Sequence, residues 1–114
     1  MAKHFEELEI WQLAKDLCVM VYSRFKDCKD FRFCDQIQSA AVSIMNNIAE
    51  GFERKKGSKE LERFLYISKG SAGEVRSMLY LALEFKYLSQ ADHDKLRELC
   101  MQVSRILYGF IDSL

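Results

Sequence analysis

The chain has 114 residues and carries 17 Lys or Arg against 17 Asp or Glu, so no net charge points it toward nucleic acid or membrane. With no proline and five glycines, it suits helix interiors and not turn-rich β folds. This length predicts one domain over residues 1–114, and no apolar run approaches the ~20 residues that span a bilayer.

Residues 1–8 read as a lead-in anchored by Phe5 and Leu8. The opening MAKHFEELEIW lacks the basic-then-apolar order of a signal peptide, so the expected location is cytoplasmic. A first helix is predicted over 9–26. Ile10, Ala14, Leu17, Val21 and Phe25 recur at helical spacing, and Trp11 and Cys18 widen the stripe. The charged run KDCKDF breaks that pattern and makes the first turn, with Asp30 as N-cap of a second helix.

The second helix is predicted over 31–56 and has two characters. Ile37, Ala40, Ala41, Ile44, Ile48 and Phe52 form an apolar stripe. Ser39, Ser43, Asn47, Glu50 and Arg54 form a polar stripe beside it. Arg54, Lys55 and Lys56 suit the negative helix end, Gly57 suits the left-handed position after it, and Ser58 caps the next helix.

A third helix is predicted over 59–87, with Leu61, Leu65, Ser68, Ala72, Val75, Leu79 and Ala82 inward. Gly70 and Gly73 each cost about 1 kcal/mol in a helix interior, so they are expected to admit a close approach at Ala40 and Ala41, with a kink as the competing explanation. MLYLALEF, residues 78–85, is apolar on nearly every side, which predicts a second partner and hence self-association, with ordinary surface apolar residues as the alternative. Ser89 and Asp92 read as a capping box for a fourth helix over 90–112. There Leu96, Leu99, Cys100, Val103, Ile106, Leu107, Phe110 and Leu114 form a seam. Short turns make neighbours antiparallel. The predicted fold is an all-α, up-down-up-down antiparallel four-helix bundle.

Little in the chain suggests catalysis. His4 lies in the lead-in, and His93 is expected to be exposed in the first turn of helix 4. Ser43 has no histidine at a useful spacing, and phosphate-cradling glycine loops, GxSxG elbows and ExxH pairs are missing. Cys18, Cys28, Cys34 and Cys100 show no CxxC spacing, so they are read as reduced structural residues with no metal site. No cofactor and no small-molecule substrate are expected.

Two constellations remain. Ser43, Asn47 and Glu50 of helix 2, with Glu74 of helix 3, are assigned to a polar network fixing register between helices or subunits. A nucleic-acid surface is the competing reading, and Glu50 disfavours it, since it repels phosphate and pairs with Arg54 at i+4. Arg54, Lys55, Lys56, Lys59 and Arg63 form a basic cluster, interleaved with Glu53, Glu60 and Glu62; Lys69 and Arg76 share a face further along. This cluster is either a solvated, salt-bridged turn or a phosphate-contacting patch.

The segments LEIWQLAKDL, QIQSAAVSIMNNIAEGFER and KELERFLYISKGSAGEV together make the sequence resemble the bacterial four-helix-bundle proteins encoded in intervening sequences of 23S ribosomal RNA genes. It is similar also to the accessory variability proteins of diversity-generating retroelements. The resemblance implies a non-enzymatic bundle that assembles into a ring, typically a homopentamer. It further implies association with RNA, or with a reverse transcriptase–RNA complex, through basic residues. Two positions depart from the pattern. Met45 stands where relatives usually carry proline, which removes a kink from helix 2. Gln38 and Ser39 stand where relatives often carry arginine, which weakens nucleic-acid binding there. The alternative function is a purely structural or protein-binding oligomer without nucleic-acid affinity.

Overall fold

The computed structural model describes residues 2–54 and 58–114, with the backbone alone at Ser58. A short 3-10 turn, Phe5–Glu7, precedes α1 (Glu9–Phe25), α2 (Phe31–Arg54), α3 (Ser58–Glu84) and α4 (Gln90–Asp112). Each helix packs on its neighbours in the chain, and α1 meets α4 to close the four-helix bundle. The bundle measures 43 × 21 × 20 Å, the length expected of a 27-residue helix at about 1.5 Å per residue.

The predicted stripes make the core. Ala14, Leu17, Val21, Ile37, Ile44, Ile48, Leu65, Val75, Leu79, Leu96, Val103 and Leu107 are all wholly buried. In α4 the stripe ends on Ile111 and leaves Leu114 exposed. The lead-in is pinned by Phe5, whose ring meets Trp11 edge-on with centroids 5.1 Å apart.

Caps set the helix ends. Asp30 starts α2 as predicted, its Oδ1 accepting from the Phe33 amide at 3.2 Å. Ser89 starts α4, its Oγ accepting from the Asp92 amide at 3.1 Å. The expected capping box is only half formed, because the Asp92 carboxylate turns to Arg24 of α1, 3.1 Å away.

α3 ends three residues earlier than predicted. Lys86 adopts φ 62°, and the Tyr87 and Lys86 amides bond back to Ala82 and Leu83 at 2.8 and 3.0 Å. This is a Schellman closure with lysine where glycine is usual, so no glycine in the sequence signals it. The predicted end of the second helix, Lys55, Lys56 and Gly57, lies outside the described residues.

Two expectations are corrected. Gly70 and Gly73 do not face α2, since a Cβ built on either meets nothing within 4 Å. At about 100° per residue, Gly70 is on the side of α3 away from Ser68 and Ala72, which do face inward. The close approach is instead at Gly51, where a Cβ would lie 2.8 Å from Phe64 Cβ and 3.2 Å from Leu61 Cδ1. The second correction is His93, which is buried, not exposed. Its ring packs edge-on against Tyr80, centroids 5.2 Å apart, and its Nδ1 lies 3.2 Å from Asp94 Oδ1.

Candidate nucleic-acid interface and interhelical polar seam

Where α2 and α3 cross, small side chains bring the helices together and leave hydroxyls to be satisfied. Ser68 is wholly buried, and its Oγ donates to the Ile44 carbonyl at 2.8 Å. One step outward, Ser43 and Ser71 share a hydrogen bond of 2.8 Å. Asn47 completes this group from below, its Nδ2 donating to the Ser43 carbonyl at 2.8 Å and to Ser43 Oγ at 3.0 Å.

The four residues assigned to one network therefore separate. Ser43 and Asn47 belong together, with Ser71 as the partner in α3. Glu50 lies one turn further along and pairs with Arg54 Nη2 at 3.4 Å. Glu74 sits at the other end of the crossing and accepts from Gln36 Nε2 at 3.3 Å. Antiparallel packing explains the split: each α2 residue meets a different level of α3, so a stripe along one helix cannot converge on one point.

The arginines of the basic cluster are brought together around a ring. Arg54 at the end of α2 and Arg63 in α3 have their guanidinium carbons 5.2 and 4.8 Å from the Phe64 centroid. Glu60 stands between them, with Oε1 at 3.6 Å from Arg54 Nη1 and 3.5 Å from Arg63 Nη2. Both arginines keep half or more of their side-chain surface in water, 53% and 60%, so each retains donors for an anion. Lys59 is exposed on the same turn, whereas Lys69 and Arg76 are half-buried further along α3. Lys55 and Lys56 lie outside the described residues.

Sequence reasoning missed Phe64, Gly51 and the arginine pairing across Glu60. Glu60 was counted as a charge interleaved with the cluster, but its position between two arginines depends on how α2 and α3 meet.

A set of three His, Cys, Asp or Glu side chains able to hold a metal is absent among the described residues. Within the same residues, no helix is long and apolar enough to cross a membrane. Apolar surface remains outside the core: Tyr80, Leu81 and Phe85 of α3 are about half-exposed, as are Tyr66 and Ile67 nearer its start.

Three comparisons bear on this arrangement. The family model described as 23S rRNA-intervening sequence protein matches residues 6–109. A crystal structure described as a protein of unknown function from the S23 ribosomal protein family of Bacteroides thetaiotaomicron VPI-5482 has the same fold, with a TM-score of 0.83. The two are 20% identical, and the match covers 90% of this chain and 97% of that one. No curated protein matches.

Proposed function

The chain belongs to the 23S rRNA-intervening sequence protein family, and we propose from that premise that it is a non-enzymatic, cytoplasmic, homo-oligomeric scaffold that binds RNA through its α2–α3 end. The observation that carries this reading is the exposed Arg54–Arg63 pair held over Phe64. A planar guanidinium fixed by a ring is well placed for phosphate oxygens and for stacking on a base. Lys59 adds charge on the same turn.

Self-association comes from the apolar side chains that the bundle leaves uncovered, Tyr80, Leu81 and Phe85 foremost. Five copies is the count that the sequence resemblance implies. One chain offers few phosphate contacts, so a monomer binds weakly. A ring repeats the cluster around an axis, and avidity then raises affinity by about 10²–10⁴. A second reading, an oligomer that binds only protein, is favoured by one feature: Glu50 and Glu60 already occupy the arginines.

The test combines mass and salt dependence. Light scattering should give a multiple of 13.4 kDa at micromolar concentration. Retention of a mixed-sequence RNA should fall steeply with salt, as counterion release requires. Replacing Lys59 and Arg63 with glutamate should abolish retention and leave the oligomer intact. A monomer mass refutes the assembly. RNA retention that is absent at low salt, or unchanged in the double variant, puts the protein-binding reading first.

A further inference from the structure

At the end of the bundle away from the basic turn, two cysteines that lack CxxC spacing come together. Cys28 lies in the segment between α1 and α2, and Cys34 in the first turn of α2. Cys34 is buried, its Sγ donating to the carbonyl oxygens of Phe25 and Cys28, both at 3.8 Å. The Cys34 sulfur therefore lies directly against the main chain of Cys28. Disulfide formation needs Cβ atoms within about 3.5–4.5 Å, so the Cys28 segment has to bring its side chain to that distance from Cys34.

The two thiols differ in access. Cys28 is half-buried and lines an open cavity of about 480 Å³, together with Arg24, Asp27, Lys29, Asp30, Lys86 and Tyr87. The cavity walls are tied together, since Asp30 caps α2 and its Oδ2 accepts from Tyr87 Oη at 2.7 Å. Arg24 is engaged by Asp92, while Lys29 and Lys86 are exposed at the cavity rim.

We propose that Cys28 and Cys34 form a redox-responsive dithiol that anionic low-molecular-weight disulfides oxidise to a Cys28–Cys34 disulfide. Lys29 and Lys86 attract the carboxylates of the oxidant. The Cys28 thiolate attacks one sulfur of the oxidant, breaking its S–S bond, and the departing thiolate takes a proton from water. Cys28 then carries a mixed disulfide. Cys34 gives its proton to water, and its sulfur attacks Cys28 Sγ and expels the second thiolate, which is protonated in turn. The protein loses two hydrogens, and the oxidant is reduced to two thiols.

The order of attack follows from the surroundings. Burial, the hydrogen bond with Cys28 and the charge of a Cys28 thiolate push Cys34 up to about 12. Cys34 is also buried while Cys28 faces the cavity, so Cys34 is the resolving thiol and not the first nucleophile. Cys18 and Cys100 sit buried on helix faces, where burial raises both, Cys100 to about 12, so neither competes.

Glutathione disulfide incubated with the folded full-length chain, followed by acid quench and peptide mapping, tests this. The expected product is a Cys28–Cys34 cross-linked peptide that dithiothreitol reverses. Cys34→Ser should accumulate the glutathione adduct on Cys28, and Cys28→Ser should leave Cys34 unmodified. Mapping of the unsubstituted chain decides the matter even where a variant misfolds. The proposal is overturned if Cys28 and Cys34 both stay reduced, if glutathione settles first on Cys18 or Cys100, or if Cys34 reacts without Cys28.

Discussion

The α2–α3 pair contains two glycine sites whose surroundings in sequence point one way and whose places in the fold point the other. Gly70 and Gly73 sit in the small-residue run SKGSAGEV, yet open space lies where their side chains would be. Gly51 sits among larger residues, in IMNNIAEGF, yet a Cβ on it would lie only 2.8 Å from Phe64 Cβ. The difference is phase. Gly51 continues the inward stripe of Ile44 and Ile48, seven and three residues after them, while Gly70 lies on the far side of α3 from Ser68 and Ala72. A glycine's cost in helix propensity is the same at both sites, so propensity cannot tell which one admits a neighbour.

Substituting Gly51 should show the largest effect. Alanine there gains about 1 kcal/mol of helix propensity, but its Cβ meets Phe64 close to the α3 backbone, where no rotamer change gives way. Gly51→Leu should cost about 3 kcal/mol, and Gly51→Ala should show a smaller net loss, both read as urea midpoints at one protein concentration. A Gly51→Ala midpoint equal to the parent's would mean that the helices part there without cost.

Next in size is the hydroxyl at the crossing. Ser68→Ala removes the buried donor to Ile44, while that carbonyl keeps its place in the helix ladder. The expected loss is about 1 kcal/mol. No change in midpoint would mean that the crossing is set by packing alone, with Gly51 as its fixed point.

The opposite sign is expected at the open site. Gly70→Ala should stabilise the chain by about 1 kcal/mol, because the propensity gain meets no contact. The outcome sharpens the comparison in a second way. If the variant instead loses assembly mass in light scattering, another copy covers the face that one chain leaves open.

How far the sequence could be read follows from these sites. The four helices and most core positions were legible because each depends on the 3.6-residue period of one segment, while Phe33, Cys34, Phe64, Leu88 and Ile111 were not among the predicted stripes. Asp30 and Ser89 were legible because capping is local. What escaped depends on two segments at once. Arg54 on Phe64, Tyr87 on Asp30, and Arg24 on Asp92 are contacts between different segments, without a local signature. His93 was misread for a related reason: its charged neighbours Asp92 and Asp94 suggested an exposed turn, while the phase set by Leu96 and Cys100 turns it inward. The basic cluster was recognised as residues but not as an arrangement, since Glu60's place between the arginines requires the end of α2 to meet α3.

The smallest expected change in stability lies directly over the tight contact. Glu60 touches Arg54 and Arg63 at 3.6 and 3.5 Å, and these are exposed, well-hydrated pairs that contribute about 0–1 kcal/mol. Glu60→Gln keeps the side chain's size and removes its charge. If Gly51 and Phe64 hold this end of the bundle, the urea midpoint should move by no more than about 0.5 kcal/mol. The effect on binding should be larger than the effect on folding. Losing one carboxylate between two arginines removes the local competitor for phosphate, so RNA retention at low salt should rise, and its dependence on salt should steepen. Gly51→Leu should disturb folding first, because it acts on packing beneath the arginines. A marked loss of stability in Glu60→Gln would show that the ion pairs, and not the glycine contact, close this end. Unchanged RNA retention with unchanged stability would mean that the arginines are not the contacting groups, leaving them as salt-bridged surface above a packed helix end.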